Sequence, residues 1–378
     1  MNLGAAQFNE SAPSHHEWNV LLRDIAPTKG FLTAAWFEHW GRSFLPLNSW
    51  SGPMSYLVAR GGDGALIGLV PLARQHKAGV FFTSLGGFYS PFRSIVLAET
   101  ARQAAAEGVA AVLSERTECV ALRYGPVPAD DADIAALNAA LVTRGWTLHA
   151  VPAGTTMAMD LPETWAAFER RLGRGLRTNS SYYERKMRRE GEVVVRVFSG
   201  SNSVEWARVI NDLGRVEEQS WLVSRAGTLR FLGERNHRFW LGLLSQSEAG
   251  DHARVWLMHF RGLPVSFCVA MDYGCVRYVL ANQYAETVRN YRTGSVLYRY
   301  VIRDAIDSGA VSAINFGTGD SGYKSRWGAK PSFGLKDWIA FPPGARGRLL
   351  DLAVRTWNRL RRPSVEQPPS AATRAARR

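Results

Sequence analysis

Residues 312–328 read SAINFGTGDSGYKSRWG, and Gly317–Gly322 within them fit the pattern G-x-G-x-x-G. In a dinucleotide-binding fold this pattern follows a strand and opens a long helix that crosses to a second parallel strand. Here the next apolar stretch begins at Leu335, only 13 residues after Gly322, and Pro331 interrupts any helix between them. We therefore interpret these glycines as turn residues rather than as a nucleotide-binding loop.

The composition is that of a folded chain with an anionic partner. The chain has 378 residues, of which 46% are hydrophobic, and this length suggests about two domains. Its formal net charge of +13 favours a nucleotide, an acidic sugar, a lipid headgroup or a nucleic acid as partner. Part of this charge is concentrated after residue 343, where arginines far outnumber acidic residues.

The sequence also indicates an intracellular protein. The N-terminus lacks the basic start and apolar stretch of a signal peptide, and no run reaches the roughly 18 apolar residues of a spanning helix. Cys119, Cys268 and Cys275 have no paired spacing, so we expect buried thiols in a reducing compartment. The scattered histidines predict no metal site. We expect a cytoplasmic location.

The apolar pattern repeats one order of elements in two halves. In the first half, strands at 55–60 and 65–70 flank a glycine turn, which predicts a β-hairpin. Later in the first half, helix 100–115 is followed by strand 119–124. In the second half, strands 253–260, 264–272 and 276–284 are followed in the same way by helix 294–308 and strand 311–316. A single basic helix is expected at 163–191. This repetition predicts an α/β (α+β) fold with an internal duplication.

The order of segments from Ala253 to Phe341 resembles the core of GNAT acyltransferases. In that family the turn into the central helix reads [Arg/Gln]-x-x-Gly-x-[Gly/Ala] and holds the pyrophosphate of an acyl-CoA on backbone N–H groups. This chain has Arg289-Asn-Tyr-Arg292-Thr-Gly294 at that place. Arg289 and Gly294 match the pattern, whereas Arg292 stands where the family has its first glycine.

The chain as a whole, over roughly residues 20–345, is similar to the CelD-like branch of GNAT proteins, which are linked to exopolysaccharide or cellulose biosynthesis. The similarity lies in four places: Arg171–Gly191, Arg261–Ser266, Tyr284 with Gly294–Leu297, and Asn315–Lys324 with Trp327-Gly328. The last motif is shared with the FemAB aminoacyl transferases, which are also tandem GNAT folds.

This resemblance implies tandem GNAT-like domains, each a mixed, mostly antiparallel sheet flanked by helices. We expect an N-terminal GNAT-like domain over 1–155, a C-terminal acyltransferase domain over 156–343, and a basic helix with a disordered tail over 344–378. Because the first half has no Arg-x-x-Gly-x-Gly turn, we expect it to shape the acceptor cleft without binding CoA.

The resemblance further implies a donor site between two splayed strands, Val276–Tyr284 and Val311–Phe316. The expected donor is acetyl-CoA or another acyl-CoA, with a backbone N–H on the oxyanion. The predicted donor-binding residues are Gln283, Tyr284, Arg289, Arg292, Thr293, Gly294 and Ser295. Surface charge is the alternative interpretation of the two arginines.

The predicted catalytic residues lie in the stretch quoted first. Tyr323 begins a pattern similar to the Tyr-x-x-x-Gly of GNAT enzymes and is the candidate general acid for the departing thiolate. Asp320 is a candidate base, as is Glu286, and Lys324 is the candidate ligand of a substrate phosphate. The alternatives are a core aromatic for Tyr323, turn formation for Asp320 and a solvated loop lysine for Lys324.

We therefore expect a CoA-dependent N-acyltransferase that acts on a polysaccharide or cell-envelope precursor, with a small-molecule or lipid-linked amino sugar as acceptor. One alternative is aminoacyl transfer from tRNA in the manner of FemAB proteins, the only case in which we expect a nucleic acid partner. Another is a non-catalytic GNAT-fold scaffold in exopolysaccharide synthesis, which the departure at Arg292 motivates.

The arginine-rich stretch 346–362 predicts an amphipathic helix. Its apolar residues fall on one predicted side: Leu349, Leu350, Ala353, Trp357 and Leu360. Such a helix suits contact with the inner face of an anionic membrane, and it equally suits packing against the domain. The composition beyond Pro363 predicts disorder.

Overall fold

The structure, a computed structural model, describes residues 7–9, 12–23, 27–45, 54–76, 80–84, 90–116, 119–224, 229–320 and 322–360. Within these ranges, side chains are described except at residues 7–9, 76, 80–84, 224 and 357–360. Across this part of the chain, no helix combines the length and the apolar character that a membrane span requires.

The strands of the described residues join into one continuous sheet. They are β1 (Gln7–Asn9), β2 (Ser55–Arg60), β3 (Leu66–His76), β4 (Val80–Ser84), β5 (Val96–Leu97), β6 (Cys119–Pro128), β7 (Thr147–Asp160), β8 (Val193–Phe198), β9 (Ala253–Phe260), β10 (Leu263–Tyr273), β11 (Val276–Tyr284), β12 (Ala313–Thr318) and β13 (Lys330–Phe341). Their order is β1-β2-β3-β4-β6-β13-β7-β12-β11-β10-β9-β8, with β5 beside β3. Only β4 with β6 and β11 with β12 pair in parallel. The prediction of a mixed, mostly antiparallel sheet is confirmed.

Helices flank both faces of this sheet. They are α1 (His15–Leu22), α2 (Ala34–Phe44), α3 (Arg102–Glu115), α4 (Ala132–Thr143), α5 (Trp165–Arg171), α6 (Arg174–Glu190), α7 (Ser203–Glu218), α8 (Glu234–Leu244), α9 (Ser247–Gly250), α10 (Thr293–Ser308) and α11 (Ala345–Leu360). The single helix expected at 163–191 is divided into α5 and α6, because Leu172 between them takes an extended backbone (ψ 139°) and buries its side chain in the core of the second half.

The expected duplication is visible in two crossovers. Helix α3 connects β4 to its parallel partner β6, and α10 connects β11 to its parallel partner β12. The two predicted sheets are nevertheless one sheet, because β13 inserts between β6 and β7 while β7 also pairs with β12. The predicted boundary at residue 155 lies inside β7, and the two halves therefore share strands.

The second half is packed on both faces, and this double packing positions the site. On one face α10 buries Val296, Leu297 and Val301 against β9, β10 and β11. On the other face α7 packs against β10 and β11 and buries Ile210 and Leu213. Since β11 has helices on both sides, residues that alternate along it point toward two different cores.

The halves also meet through aromatic side chains. The ring of Phe31, which lies just before α2, is 4.8 Å from that of Tyr273 and 5.4 Å from that of Tyr278. Phe92 lies 5.7 Å from Tyr278 and 5.8 Å from Phe333. These ring contacts fix the first half against β10, β11 and β13.

Two sequence expectations need correction. Cys119 and Cys268 are buried as expected, but Cys275 is exposed because it lies in the turn between β10 and β11. Helix α11 forms as predicted, but its inward face differs from the predicted apolar side: Leu350 is partly buried, whereas Leu349 is 66% exposed. The pairing of Asp351 with His149 of β7 at 2.5 Å fixes this rotation. The side chains of Trp357 and Leu360, and the tail beyond Pro363, lie outside the described residues.

Candidate active site

The parallel strands β11 and β12 separate soon after they begin to pair. Their ladder joins Val276 with Ala313, Arg277 with Ile314 and Tyr278 with Asn315, and then ends. Strand β11 bends there because its register with β10 shifts between Val269 and Ala270, which is a bulge.

Strand β12 also leaves the ladder at this point. The carboxamide oxygen of Asn315 accepts a hydrogen bond from the Gly317 amide at 2.8 Å, and Gly317 has a left-handed backbone (φ 75°). By contrast, β4 and β6 in the first half pair from Val80 to Thr83 along nearly all of β4. The expected splay between two strands is thus present in the second half.

Helix α10 begins beside this opening without a capping side chain. Arg292 precedes it in the left-handed region (φ 49°, ψ 43°), which normally favours glycine and costs other residues roughly 1–2 kcal/mol. This conformation explains why the family pattern has glycine at that position. The carbonyl of Arg292 already accepts the amide of Ser295 at 2.9 Å, so the amides of Thr293 and Gly294 are the first of α10 and have no carbonyl acceptor within the helix.

Gly294 lets this first turn approach β11 closely. A Cβ atom there would lie 3.4 Å from the Asn282 side-chain oxygen and 3.4 Å from a ring carbon of Tyr284. Tyr284 is half-buried and pairs with Ser266 at the end of the β10–β11 ladder. The predicted donor residues Tyr284, Thr293 and Gly294 are therefore brought together.

Two buried side-chain atoms at this bend have no hydrogen-bond partner among the described residues: Asn282 Nδ2 and Thr293 Oγ1. Gln283 Oε1 also has none there, but Gln283 points to the α7 side of β11. The side chains of Gln283 and Thr293 are only 7% and 0% exposed. Leaving such a group unsatisfied costs about 1–3 kcal/mol, so the unpartnered atoms of Asn282 and Thr293 suit a polar ligand or ordered water at the bend.

The amide of Gln283, a predicted donor residue, lies on the opposite side of β11 from the bend. Its Nε2 donates to Glu217 of α7 at 3.1 Å, and Glu217 is fully buried. The same carboxylate accepts the backbone amides of Arg230, Phe231 and Leu232 at 2.7–3.0 Å. Glu217 therefore fixes both the segment before α8 and the orientation of Gln283.

Tyr323 meets α10 through Tyr298. Their hydroxyl oxygens lie 3.4 Å apart and their rings 5.5 Å apart at 31°. Burial raises the pKa of Tyr323, and it raises the pKa of Tyr298 well above its ordinary value. Since a raised pKa keeps a phenol protonated near neutral pH, Tyr323 is in the form that can donate a proton.

Lys324 and Asp320 stabilise the loop itself. Lys324 is 6% exposed, and its ammonium donates to the carbonyls of Gly317 and Thr318 at 3.2 and 3.0 Å. Burial lowers the pKa of Lys324. Asp320 accepts the Gly322 amide at 2.8 Å, and its contact with Ser325 lowers its pKa, which makes it a weaker base. Their predicted catalytic roles stay predictions.

The predicted arginines lie at the outer edge of the bend. Arg289 is 71% exposed in its side chain and approaches Glu286 at 3.8 Å. Arg292 is exposed and stacks on the ring of Tyr183 of α6 at 5.0 Å, while Lys186 of α6 lies 5.3 Å from the Tyr291 ring. Helix α6, which is rich in Lys and Arg, thus lies beside the bend that precedes α10.

Sequence reasoning missed Glu217, Asn282 and Tyr298. A signal existed for Glu217, because it follows Ile210 and Leu213 at helical spacing on the apolar side of α7. Tyr298 lies in the same way on the buried side of α10, where an aromatic residue looks like ordinary core. Asn282 carried no signal, because its importance depends on which face of β11 it occupies.

The comparison with protein families gives one match. Residues 174–325, from α6 through the loop after β12, match a family described as acetyltransferase (GNAT) domain. No curated protein matches the chain.

The chain shares its fold with several solved structures. The crystal structure of FemX aligns with a TM-score of 0.57 at 11% identity, covering 92% of this chain and 99% of that one. L-PGS from Bacillus licheniformis aligns with a TM-score of 0.53 at 13% identity, covering 91% and 96%. The C-terminal domain of a putative lysylphosphatidylglycerol synthetase from Agrobacterium fabrum gives 0.52 at 12% identity, covering 90% and 95%. The family match thus shows similarity to an acetyltransferase (GNAT) domain over residues 174–325, and the solved structures show a shared fold.

Proposed function

We propose that this chain is an N-acyltransferase that moves an acyl group from acyl-CoA to an amino group of a polysaccharide or cell-envelope precursor. The observation that carries the proposal is the opening between β11 and β12, bounded by the uncapped start of α10 and by Tyr323. Strand edges without a partner leave main-chain groups for a ligand to bind. The acetyltransferase family match includes every one of these elements.

The residues at the bend suit a diphosphate. The amides of Thr293 and Gly294 and the N-terminal dipole of α10 would hold its negative charge. The exposed guanidinium of Arg292 would add a direct charge-assisted contact. The unpartnered hydroxyl of Thr293 offers one further hydrogen bond. The glycine absent at position 292 is in this way compensated by a cation.

The chemistry proposed for the opening is direct transfer. A bound thioester supplies an electrophilic carbonyl. The amine nitrogen forms the new N–C bond while the C–S bond breaks, the amine proton passes to a base or water, and Tyr323 donates its proton to the sulfur. Backbone N–H groups of β11 would stabilise the oxyanion. Because the pKa of Asp320 is lowered, we favour Glu286 or water as base.

The acceptor is proposed from the remaining polar groups. Two of the three ammonium protons of Lys324 are used by loop carbonyls, so one donor is left for a phosphate of the acceptor. This suits a nucleotide-linked or lipid-linked amino sugar. We also propose that the protein acts in exopolysaccharide synthesis, as CelD-like proteins do, and that it is cytoplasmic.

A second candidate is transfer of an aminoacyl group from tRNA. It is favoured by α6, whose sequence RGLRTNSSYYERKMRRE has six Lys or Arg and two Glu. This helix contacts Arg292 at the start of α10 through Tyr183. A helix of this charge suits a phosphate backbone. The shared fold with FemX is compatible with it.

Donor dependence separates the candidates. The purified chain would be incubated with acetyl-CoA and a panel of amino sugars, and thiol release would be followed with a thiol-reactive chromophore. We expect thiol release that depends on the acceptor and falls with Tyr323→Phe. Transfer that requires charged tRNA would favour the second candidate. Absence of CoA binding by calorimetry, with no transfer from either donor, would favour a non-catalytic scaffold.

A further inference from the structure

The outward face of α11 carries an apolar stripe. Leu349 and Leu352 are 66% and 61% exposed, which is unusual for leucine. Ala353 and Thr356 are also exposed and follow Leu349 at i+4 and i+7, so the four side chains lie on one side of the helix. No described residue covers this stripe.

Arginines accompany the stripe. Arg346, Arg348 and Arg355 are all exposed on α11. The acidic residue Asp351 lies on another side, where Arg355 donates to both of its oxygens at 2.9 and 3.0 Å. An apolar stripe beside cations, without exposed unpaired acids in the described part of the helix, is the pattern of a helix lying in a membrane interface.

The helix cannot rotate to bury these leucines. Asp351 is fixed to His149 of β7 at 2.5 Å. At the start of the helix, Gly347 is so close to the preceding turn that a Cβ atom would lie 1.9 Å from the carbonyl oxygen of Pro342. The inward face is therefore set by close packing and by the contact between Asp351 and His149, and the leucines remain outside.

We propose that the Leu349–Leu352 face of α11 binds the surface of an anionic phospholipid bilayer. The leucines would enter the headgroup boundary while the arginines meet lipid phosphates. The formal net charge of +13 supports the same partner. A second copy of the chain is a poorer occupant, because stripe-to-stripe packing would bring the two sets of arginines together. This proposal does not depend on the acyltransferase activity.

Co-sedimentation of the full chain with vesicles tests the proposal. One set of vesicles is pure phosphatidylcholine and the other contains phosphatidylglycerol. We expect binding to the second set only, and weaker binding at high salt. The double variant Leu349→Gln/Leu352→Gln should bind at least tenfold more weakly, since it removes two apolar side chains that would be buried in the bilayer. Both positions are exposed, so the variant should keep the circular dichroism spectrum of the parent.

A matched variant controls for charge alone. Arg196→Gln/Arg208→Gln removes two exposed cations on β8 and α7, and its vesicle binding should stay within about twofold of the parent, in contrast to Arg346→Gln/Arg348→Gln. Equal loss with both arginine pairs, or undiminished binding of the leucine variant, would overturn the proposal. Self-association in sedimentation velocity that the leucine variant abolishes would overturn it as well, in favour of a second copy.

Discussion

The hydroxyl oxygens of Tyr298 and Tyr323 lie 3.4 Å apart, and this contact joins α10 to the loop that follows β12. Tyr298 is 3% exposed and belongs to the core beneath α10, so it places Tyr323 with the precision of a packed side chain. The proposed acid and the proposed anion-binding bend are consequently parts of one rigid unit.

Removing the Tyr323 hydroxyl should affect the chemical step. Tyr323→Phe is expected to lower kcat about 100-fold while the KM for acetyl-CoA stays unchanged, because a general acid acts in the transition state. Steady-state thiol release measures both constants. Tyr300→Phe is the control, since its hydroxyl contacts Glu184 on α6 and should leave kcat within about twofold. A raised KM with an unchanged kcat would assign Tyr323 to binding instead.

Restoring the family glycine should separate stability from binding. Arg292→Gly is expected to raise the free energy of unfolding by about 1 kcal/mol, because glycine has no Cβ atom and adopts the left-handed backbone without steric strain. The same change should weaken CoA about tenfold in calorimetry, because a phosphate contact is lost.

Arg261 provides the comparison for that experiment. It is the other non-glycine residue with a left-handed backbone in the described chain (φ 53°), in the turn between β9 and β10. Arg261→Gly should leave CoA affinity unchanged. If Arg292→Gly binds CoA as tightly as the parent, Arg292 does not contact the donor.

The carboxylate of Glu217 should be a large contributor to stability. Glu217→Gln puts an amide where the backbone N–H groups of Arg230, Phe231 and Leu232 converge, so we expect the free energy of unfolding to fall by about 3 kcal/mol. Urea denaturation measures this change. The exposed neighbour Glu218→Gln should change it by less than about 0.5 kcal/mol. Equal effects of the two variants would contradict the assigned role.

Buried phenols should make the fold sensitive to alkali. Burial raises the pKa of Tyr56 to about 12, and it also raises the pKa of Tyr273 and Tyr278. Above pH 10 the unfolded chain releases these protons and the folded chain keeps them, so unfolding becomes more favourable as pH rises. For Tyr56 the stabilisation is complete below about pH 10 and is lost by about pH 12, an effect of about 2–3 kcal/mol.

Denaturation at several pH values checks this expectation. The parent should lose stability between pH 10 and 12, with a slope of about 1.4 kcal/mol per pH unit for each phenol. Tyr56→Phe should show a shallower slope over the same interval. A slope unchanged by that substitution would mean that Tyr56 ionises normally in the folded chain.

Local sequence patterns were sufficient for the elements and for part of the site. The alternation at 55–70, the helical spacing at 294–308 and the Arg289–Gly294 pattern each depend on neighbours in the chain, and the structure contains all three features. The mixed, mostly antiparallel sheet followed from the resemblance to GNAT proteins. The resemblance singled out Tyr323, and the structure shows its contact with Tyr298 of α10.

Only the tertiary structure decided how the halves combine and which side chains meet. The insertion of β13 between β6 and β7, and the placing of Glu217 behind Gln283, join residues far apart in the chain. Pairing of this kind depends on strand register and on which face of a strand is buried. A shift of one residue in register moves every side chain of the strand to the other face. A sequence records the period of a strand, but the choice between its two faces is made by the layers that pack against it.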